Sequence, residues 1–426
     1  MFDFFALLLV LFLMAVFLRL DWIYYLIYVV GGIWAFSHWQ TRRSLNSLMV
    51  RRRLPTRAFT GETVDAEVVL HNTSLLPIPW LRIQESVPLN LQTGESYRLV
   101  ASVGGRSKAT RTFRLFCHRR GYYALGPLRL NAGDLFGFAQ SAWEEQEKPH
   151  LTVYPKVLTL EQLGLPSRLP FGILRSRQRI FMDPTRMAGV RPYASGDSMR
   201  HIHWRASAHD DTLLVKKFQP SMALTTMIVL DLDQFSYPPR ERLGGSEWAV
   251  VVAASLASHI IGQRQETGLI TNGLDPFSDG DANQGDANQG DAHPIPGMNG
   301  QGHLMGILEL LARIELRRDP DAEDPMEEGL LSPSRFALHN WLPSHVNGLG
   351  WGTTLILVTP HISDPLLWSL HALNRRGLNV QVVAVVRQPG FEKVSNQAEA
   401  MGIHVHQALW ESDLAQLGQQ GGFHGI

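Results

Sequence analysis

The sequence contains very little cysteine and no surplus of charge of either sign. Its one cysteine, Cys117, excludes an internal disulfide framework and is typical of a folded part kept in a reducing compartment. The 39 basic residues equal the 39 acidic residues in number, so no overall field draws the chain to nucleic acid. We therefore predict that polyanions are not its partners.

Motifs of two large enzyme classes are also missing. The sequence has neither the glycine-rich phosphate loop of nucleotide hydrolases nor the Gly-x-Ser-x-Gly turn that exposes a catalytic serine. What the chain does have is length, because 426 residues are enough for two or three domains that each bury a core.

Two long apolar runs lie at the start of the sequence. The first covers Phe4 to Leu18 and the second Trp22 to Trp39, with three residues between them. Each run is close to the roughly 20 residues that a helix needs to cross a bilayer. We predict a transmembrane helical hairpin over residues 1–40. A cleavable signal peptide would need a basic start and a small-residue cleavage site, and neither is present.

Basic residues after the second run predict the orientation of this hairpin. The short connection between the runs contains only Arg19, whereas a basic juxtamembrane linker over residues 41–56 is rich in arginine. The positive-inside bias then places the following domains in the cytoplasm, at the plasma membrane. The same arginines could also hold anionic lipid head groups. They are Arg42, Arg43, Arg51, Arg52 and Arg53, with Arg57 just beyond the linker.

Residues 57–155 alternate between apolar and polar side chains. Val64, Ala66, Val68 and Leu70 fall on one face of a predicted strand, and polar residues fall on the other. Turn-forming residues recur at short intervals. This pattern predicts an antiparallel β-sandwich of about 100 residues, close to an immunoglobulin domain in size. We find no catalytic pattern in it.

Residues 225–420 alternate between buried strands and amphipathic helices. This order predicts an α/β domain with a mainly parallel, doubly wound sheet. Residues 275–300 interrupt the pattern with a tandem Asp-Ala-Asn-Gln-Gly repeat that contains almost nothing apolar. Such a segment cannot bury enough surface to offset its ordering entropy, so we predict a disordered insertion.

Several motifs in order give the chain a family resemblance. They are the apolar hairpin, the stretch from Arg119 to Phe138, the stretch Leu151 to Pro155 and an Arg-rich stretch over residues 189–218. Together they resemble the domain-of-unknown-function 58 family. The resemblance implies a membrane-anchored β-domain, a von Willebrand factor A-like α/β domain and a MoxR-type AAA+ ATPase as partner. It implies no established activity and no cofactor.

The family's core motif falls in the connecting segment, residues 156–224. The positions that match it are Arg191, Tyr193, Gly196, Asp197, Arg200, Ile202, Trp204 and Ala208. Two positions depart from it. His203 stands where the family usually has Asp, and His209 stands where it usually has Arg, so any function that needs that carboxylate is in doubt.

Three interpretations of this motif remain open. In the first, Asp197 caps a helix and Trp204 packs beneath the arginines, so that the motif is structural. In the second, the arginines grip an acidic partner or a phosphate. In the third, a metal lies among His201, His203, His209, Asp210 and Asp211. On a helix His201 and His203 point about 200° apart, so the metal site requires an extended segment.

A second candidate site follows from the von Willebrand-like resemblance. Such domains bind magnesium where a strand ends Asp-x-Ser-x-Ser, with a Thr and an Asp completing the shell. Here the strand ends at Asp231 and Asp233, followed by Phe235, and the later turn is Thr359-Pro360. Phe235 and Pro360 offer no side-chain oxygen, whereas a hard cation needs a nearly complete oxygen shell. We predict no metal here and a partner-binding acidic rim formed by Asp231, Asp233 and Thr359.

Two classes of function follow from these residues. The first is a membrane-tethered interaction or assembly protein that works with a cytoplasmic protein partner, with no cofactor and no catalytic residue. The alternative is a metal-dependent hydrolase that uses the His and Asp cluster of residues 201–211. The sequence favours the first, because both candidate metal sites lack necessary ligands.

Overall fold

The structure is a computed structural model, in which two compact units, Met1–Tyr154 and Pro155–Ile426, can be distinguished. We describe each unit by itself. The residues that the structure describes are 2–18, 21–94, 96–134, 139–158, 187–194, 199, 202–208, 212–218, 225–278, 290–322 and 334–409.

The first unit begins with two helices, α1 (Phe2–Leu18) and α2 (Asp21–Asn46), which contact each other. The end of α2 extends beyond the predicted hairpin boundary at residue 40 and carries buried polar side chains at Thr41 and Ser44. This last part of the helix packs on the β-rich part of the unit, where Gln40 donates a hydrogen bond to the Pro77 carbonyl. The helix is therefore longer than its apolar run.

One described helix is long and apolar enough to cross a membrane by length and composition, namely Arg242–Gly262 in the second unit, and 61% of its apolar window is buried inside the protein. A shorter apolar helix covers Leu8–Phe17. Two membrane spans and their topology stay a prediction.

The rest of the first unit is built from three sheets. Their strand orders are β1-β3-β6, β2-β10-β7 and β5-β4-β8-β9. The strands are β1 (Leu48–Arg53), β2 (Arg57–Phe59), β3 (Thr63–Asn72), β4 (Ile78–Glu85), β5 (Arg98–Val103), β6 (Lys108–Phe116), β7 (Gly121–Ala124), β8 (Leu128–Gly133), β9 (Gln140–Glu144) and β10 (His150–Tyr154).

A shared hydrophobic core joins two of these sheets. Val68 and Leu70 from β3 pack in one cluster with Leu81 from β4 and Leu130 from β8. Side chains on one face of β3 are buried because they alternate along the strand. The predicted β-rich domain and the inward face of β3 are confirmed.

The predicted juxtamembrane linker is wrong over β1, which is a strand. Arg52 points inward there and is one-tenth exposed, because it forms ion pairs with Glu85 at 2.6 Å and with Glu145 at 2.8 Å. The alternation of this strand could not be recognised in the sequence, because its three consecutive arginines include both a buried, paired side chain and exposed ones.

The second unit contains a two-stranded sheet and an α/β region. Its elements are β11 (Met187–Pro192), α3 (Trp204–Ser207), β12 (Leu214–Phe218), β13 (Thr226–Leu230), α4 (Arg242–Gly262), β14 (Thr267–Thr271), β15 (Ile295–Met298), α5 (Gln301–Arg313), α6 (Leu338–His345), β16 (Thr354–Thr359), α7 (Asp364–Arg375), β17 (Asn379–Ala384), α8 (Phe391–Ala400) and β18 (His404–Gln407). Strands β11 and β12 pair antiparallel.

The α/β region is organised around one six-stranded sheet with the order β15-β14-β13-β16-β17-β18. Strands β13, β14, β16, β17 and β18 are parallel, and only the edge strand β15 is antiparallel. Met227 and Val229 pack in one cluster with residues of α6 and α7, so the alternate residues Ile228 and Leu230 face the other side, where α4 contacts the sheet. The predicted, mainly parallel sheet is confirmed. A hydrogen bond from Trp248 Nε1 to the Ala408 carbonyl, 2.7 Å long, ties α4 to the end of β18.

The predicted disordered insertion, residues 275–300, is wrong at its C-terminal end. Strand β15 lies inside it, and Leu274 pairs with Asp291 in an isolated bridge. Asp291 also forms an ion pair with the buried Arg317. A proline and a glycine within β15 made it look like a loop, although both are tolerated in a short edge strand. Residues 279–289, which hold most of the repeat, lie outside the described residues.

Candidate functional site

The carboxyl ends of three neighbouring parallel strands bring polar residues together. Asp231 follows β13 directly, Asn272 follows β14, and Thr359 is the last residue of β16. These strands are buried along their whole length and carry no charged or amide side chain, so the carboxyl group of Asp231 and the amide group of Asn272 appear just beyond their ends. Because carboxyl ends of parallel strands share one edge of the sheet, residues far apart in sequence meet there.

Asp231 is almost completely buried and is held by hydrogen-bond donors from Asn272, Asp233, Thr359 and Ser236. Its Oδ1 accepts bonds from Asn272 Nδ2 at 2.9 Å and from the Asp233 amide at 3.1 Å. The hydroxyl of Thr359 lies 3.0 Å from its Oδ2. The Tyr237 hydroxyl donates to the Asp231 carbonyl at 2.7 Å. This carboxylate therefore organises the ends of all three strands.

Asp233 lies two residues further on and is far less well satisfied. Its Oδ1 accepts a bond from the Phe235 amide at 3.3 Å. Its Oδ2 is buried and forms no hydrogen bond of normal geometry with the described residues. The Ser334 hydroxyl nevertheless acts on this carboxyl group as a hydrogen-bond donor, and only 1% of Asp233 is exposed to solvent.

Burial dominates the acid–base behaviour of both carboxyl groups. It raises the pKa of Asp231, against the opposing effect of its hydrogen bonds to Asn272, Asp233 and Thr359. Burial, followed by the charge of Asp231, raises the pKa of Asp233 to about 7, and the Phe235 amide and Ser334 hydroxyl lower it by less. Asp233 therefore titrates near neutral pH.

A cleft of about 240 Å³ opens at this edge of the sheet, and we call it the carboxylate cleft. Asp231 and Asp233 line it together with two further groups of side chains. The apolar group is Phe235, Ala337, Leu338, Pro365 and Leu366, and the polar group is Ser236, His339, His361 and Ser363. Burial lowers the pKa of His361, and its Nδ1 has no hydrogen-bond partner among the described residues.

The geometry changes the expected role of the acidic rim. The structure does bring Asp231, Asp233 and Thr359 into one site. However, none of the three is a rim residue, since Asp231 is 2% and Asp233 1% exposed and Thr359 is fully buried. Asp231 and Asp233 line the cleft, whereas Thr359 contacts Asp231 and does not line it. The carboxylates are therefore not part of the exposed surface.

The donor set does not fit a magnesium ion. Both oxygens of Asp231 already accept hydrogen bonds, and Phe235 and Pro360 stand where oxygen ligands would be needed. Across the part of the chain that the structure describes, no group of three or more His, Cys, Asp or Glu side chains has the arrangement of a metal site.

Sequence reasoning missed three residues of this site. Asn272 donates from its amide to Asp231 and accepts from the Leu232 amide at 2.7 Å. Tyr237 and His361 were also not predicted. The available signal was positional, because Asn272 follows the strand Thr267–Thr271 as directly as Asp231 follows Thr226–Leu230.

The structure places part of the core motif, and it corrects one prediction there. Gly196, Asp197 and Arg200 lie outside the described residues. Arg191 and Tyr193 lie on β11 and just after it. Trp204 begins α3 and is 66% exposed, so the prediction that it packs beneath the arginines is wrong. A run of arginine and aromatic residues does not reveal which side chains face solvent.

His203 has a structural role that accounts for its departure from the family pattern. Its Nδ1 accepts a hydrogen bond of 3.0 Å from the Ala206 amide, so it is the N-cap of α3. A carboxylate at this position could accept the same bond. The remaining members of the predicted metal cluster, His201, His209, Asp210 and Asp211, lie outside the described residues.

Comparisons with known proteins place this geometry in a family context. Residues 189–328 match the family model described as "Protein of unknown function DUF58". The chain resembles the DUF58 family. A curated relative, the uncharacterized protein YeaD of Bacillus subtilis, is 24% identical over 247 residues, which are 56% of this chain and 60% of that protein. The chain thus aligns with about three-fifths of the length of its curated relative, and the DUF58 description assigns no activity.

Two solved structures are each similar to about a quarter of the chain. A human seminal-plasma complex of zinc α2-glycoprotein with prolactin-inducible protein matches 25% of this chain and 92% of its own, with 11% identity and a TM-score of 0.20. A CARDB domain from Pyrococcus furiosus matches 26% of this chain and 94% of its own, with 15% identity and a TM-score of 0.19. Likenesses of this size carry no statement on function.

Proposed function

We propose that this protein is a membrane-tethered interaction protein and that the carboxylate cleft is where it binds a protein partner. The observation that carries the proposal is the pair of buried carboxyl groups, Asp231 and Asp233, in the lining of an open cleft of about 240 Å³. Carboxyl groups whose pKa is raised by burial and that line a largely apolar cleft mark a candidate binding site.

The arrangement of the α/β region supports the location of this site. Its strand order, with one antiparallel edge strand and helices against both faces of the sheet, is the arrangement we expect of a von Willebrand factor A-like domain. Ligands of open α/β sheets bind at the carboxyl ends of the strands. We likewise infer that the two packed sheets of the first unit form the β-sandwich expected before such a domain.

Exposed apolar side chains support the membrane tether. The side chains of Leu9, Phe12 and Phe17 on α1 are exposed. Those of Trp22 and Tyr25 on α2 are exposed as well. Soluble proteins rarely expose apolar surface of this extent, whereas a bilayer would cover it. The arginines that follow α2 orient the other domains toward the cytoplasm, at the plasma membrane.

The partner we propose is a MoxR-type AAA+ ATPase. Its identity rests on the family resemblance and is an analogy. The structure contributes the surface, because Trp368 on α7 is 62% exposed and follows the cleft residue Pro365 by one helical turn. Exposed tryptophans next to a pocket are frequent centres of binding energy.

The test is co-purification of the ATPase from detergent-solubilised membranes. Asp231 and Asp233 are unsuitable for charge reversal, because a lysine buried there would unfold the domain. We expect Trp368→Ala to lower the recovered ATPase by at least tenfold, and the matched variant Trp204→Ala, equally exposed, to leave it unchanged. Loss with Trp204→Ala instead would move the binding site to the core motif. Absence of the ATPase from the wild-type sample would refute the proposed partner.

The alternative predicted from the sequence, a metal-dependent hydrolase, gains no support from the described residues, because Nδ1 of His203 is engaged in capping α3.

A further inference from the structure

Two loops of the first unit lie beside the end of α2. One is the loop 73–77 between β3 and β4, and the other is the turn 104–107 between β5 and β6. The Gln40 side chain donates a hydrogen bond to the Pro77 carbonyl at 3.1 Å. Because the apolar run of α2 ends at Trp39, directly before Gln40, the loop 73–77 lies close to the level at which that run ends.

Hydrogen bonds hold the two loops to each other. The buried side chain of Asn72 donates to the Leu76 carbonyl at 2.8 Å and to the Gly104 carbonyl at 3.0 Å. The Arg106 amide donates to the Ser74 carbonyl at 2.8 Å. The two loops therefore form one surface, on which the backbone positions are fixed relative to each other.

This surface carries basic side chains from the two loops and from the end of α2. Four such side chains are exposed, and none of them forms an ion pair with a residue that the structure describes. They are Arg42, Arg43, Arg106 and Lys108. We call these four side chains, together with Leu75 of the loop 73–77, the basic loop surface.

Acidic residues offset little of this charge. In the β1-β3-β6 sheet, Lys108 pairs with His71 next to the start of β1, whereas Asp65 pairs with Arg114 toward the opposite end. Among the described acidic residues of the β-rich part, Asp134 is the one at the α2 end, where it follows β8. Its carboxylate already accepts a backbone hydrogen bond of 2.9 Å. The basic loop surface therefore has a net positive charge.

The surface also lies at the height expected of a membrane interface. Leu75 is 72% exposed on its loop. The guanidinium of Arg43 lies 5.6 Å from the centre of the Trp39 ring, and Trp39 is 51% exposed. Tryptophan at the end of an apolar run marks the boundary between acyl chains and head groups. Arg43 lies about 6 Å further along the helix axis, which is within the ~8 Å Debye length of physiological salt.

The combination of features distinguishes between the possible ligands. One exposed leucine or a few surface arginines are ordinary features of soluble proteins. A nucleic acid would pair with the basic charges but offers no apolar medium for Leu75. An anionic bilayer satisfies both, because its head groups attract the basic side chains and its acyl boundary accepts the leucine.

We propose that the basic loop surface lies on the bilayer and binds anionic phospholipid head groups. Its four basic side chains contact the head-group phosphates, and Leu75 enters the interface among them. This inference rests on the membrane tether of the proposed function and names the class of lipid that the β-rich part recognises. Each basic residue held near an anionic bilayer strengthens binding by about fivefold.

The direct test compares two exposed leucines in the full chain, reconstituted in lipid nanodiscs. Leu75 and Leu89 lie beyond opposite ends of β4 and are 72% and 82% exposed. Each is replaced in turn by cysteine and labelled with a fluorophore, and quenching by nitroxide-labelled lipid is recorded. Cys117 is buried, and wild type measures the background labelling.

Position 75 should be the deeper of the two. In nanodiscs that contain phosphatidylglycerol, we expect the label at position 75 to be quenched about threefold more than the label at position 89, because β4 separates them by about 25 Å. Replacing phosphatidylglycerol by phosphatidylcholine should remove most of this difference. Equal quenching at the two positions, or the same difference in both lipids, would overturn the inference.

A matched pair of double variants tests the role of charge. Arg106→Gln with Lys108→Gln removes two charges of the surface and should abolish the effect of phosphatidylglycerol at position 75. Arg53→Gln with Arg98→Gln removes two exposed charges away from the α2 end and should leave the effect unchanged. Unchanged melting temperatures show that both variants are folded. Binding of a short RNA by wild type that is lost with the first variant would assign the surface to nucleic acid instead.

Membrane extraction and co-purification separate this inference from the proposed function. If alkaline carbonate releases the chain from membranes, the tether is refuted and this inference with it. If the chain resists extraction and position 75 is not quenched, the tether stands and only lipid recognition is refuted. Quenching as expected without co-purification of the ATPase would support this inference and refute the proposed partner.

Discussion

The hydroxyl oxygen of Thr359 lies 3.0 Å from carboxylate Oδ2 of Asp231, although 128 positions separate the two residues. This contact joins the ends of strands β16 and β13 inside the protein, where no water replaces a lost donor. Thr359→Val keeps the shape of the side chain and removes the donor. We expect it to lower the free energy of unfolding by about 1 to 3 kcal/mol, measured by urea denaturation of the second unit.

The conservative variant Thr359→Ser provides the control, because it retains the hydroxyl. Its stability should lie closer to wild type than to Thr359→Val. Equal destabilisation by both variants would show that the methyl group matters, and not the hydrogen bond.

The raised pKa of Asp233 predicts a pH dependence of stability with a definite sign. Burial and the neighbouring Asp231 charge raise its pKa from 3.8 to about 7 on folding. Between these values the folded state binds more protons than the unfolded state, so the free energy of unfolding falls as pH rises. The fall, on the order of 4 kcal/mol, ends above about pH 7.

Asp233→Asn isolates this contribution. Glu85 has the same kind of shift, since burial raises its pKa to about 7 despite Arg52, but it contributes equally to wild type and variant. The stability difference between the two proteins should therefore grow from acidic to neutral pH in favour of Asp233→Asn. Parallel stability curves across this range would contradict the assignment.

The two tryptophans Trp204 and Trp248 should respond very differently to truncation. Trp204 is 66% exposed, so Trp204→Ala should change stability by no more than about 0.5 kcal/mol. Trp248 is 9% exposed and donates to the Ala408 carbonyl, so Trp248→Ala should cost about 3 to 5 kcal/mol. Thermal or chemical unfolding of both variants checks this. A large loss with Trp204→Ala would restore a packed role for the core motif.

Deletions in the repeat segment should show a sharp boundary. Removing residues 281–289 should leave stability within about 0.5 kcal/mol of wild type, because loop length has a small effect when the ends stay paired. Extending the deletion to 281–291 removes the partner of Arg317, whose side chain is 5% exposed, and the bridge to Leu274. That deletion should cost about 3 kcal/mol or more. Equal melting temperatures for the two deletions would show that Asp291 is not an anchor.

The membrane topology can be tested with a reporter fused after Ile426. The arginine cluster after the second apolar run predicts that an enzyme active only in the cytoplasm remains active in this fusion. A reporter that needs export should be inactive at the same position. If a membrane-impermeant reagent labelled a cysteine introduced into the β-rich region, this result would contradict the predicted orientation.

Much of the α/β region could be predicted from sequence because burial there follows simple periods. Five consecutive buried residues make β13, and a helical stripe that includes Trp248 and Leu256 makes α4. Strand β1 could not be predicted, since its inward Arg52 is satisfied by acids distant in sequence. Strand β15 was missed for a different reason, because pairing with β14 outweighs its weak local preference.

The candidate site was only partly predictable for similar reasons. The von Willebrand-like resemblance singled out Asp231, Asp233 and Thr359. Their depth was not predictable, because it depends on how α6 and α7 enclose the cleft. The exposure of Trp204 escaped prediction as well, since no periodic pattern covers its four-residue helix.

The N-cap at His203 shows that the start of α3 needs an acceptor atom and not a negative charge. Its ring nitrogen stands 3.0 Å from the Ala206 amide, where the family resemblance leads us to expect an aspartate oxygen. Because the bond requires only a lone pair within reach, Asn or Ser in place of His203 should keep the same helix start.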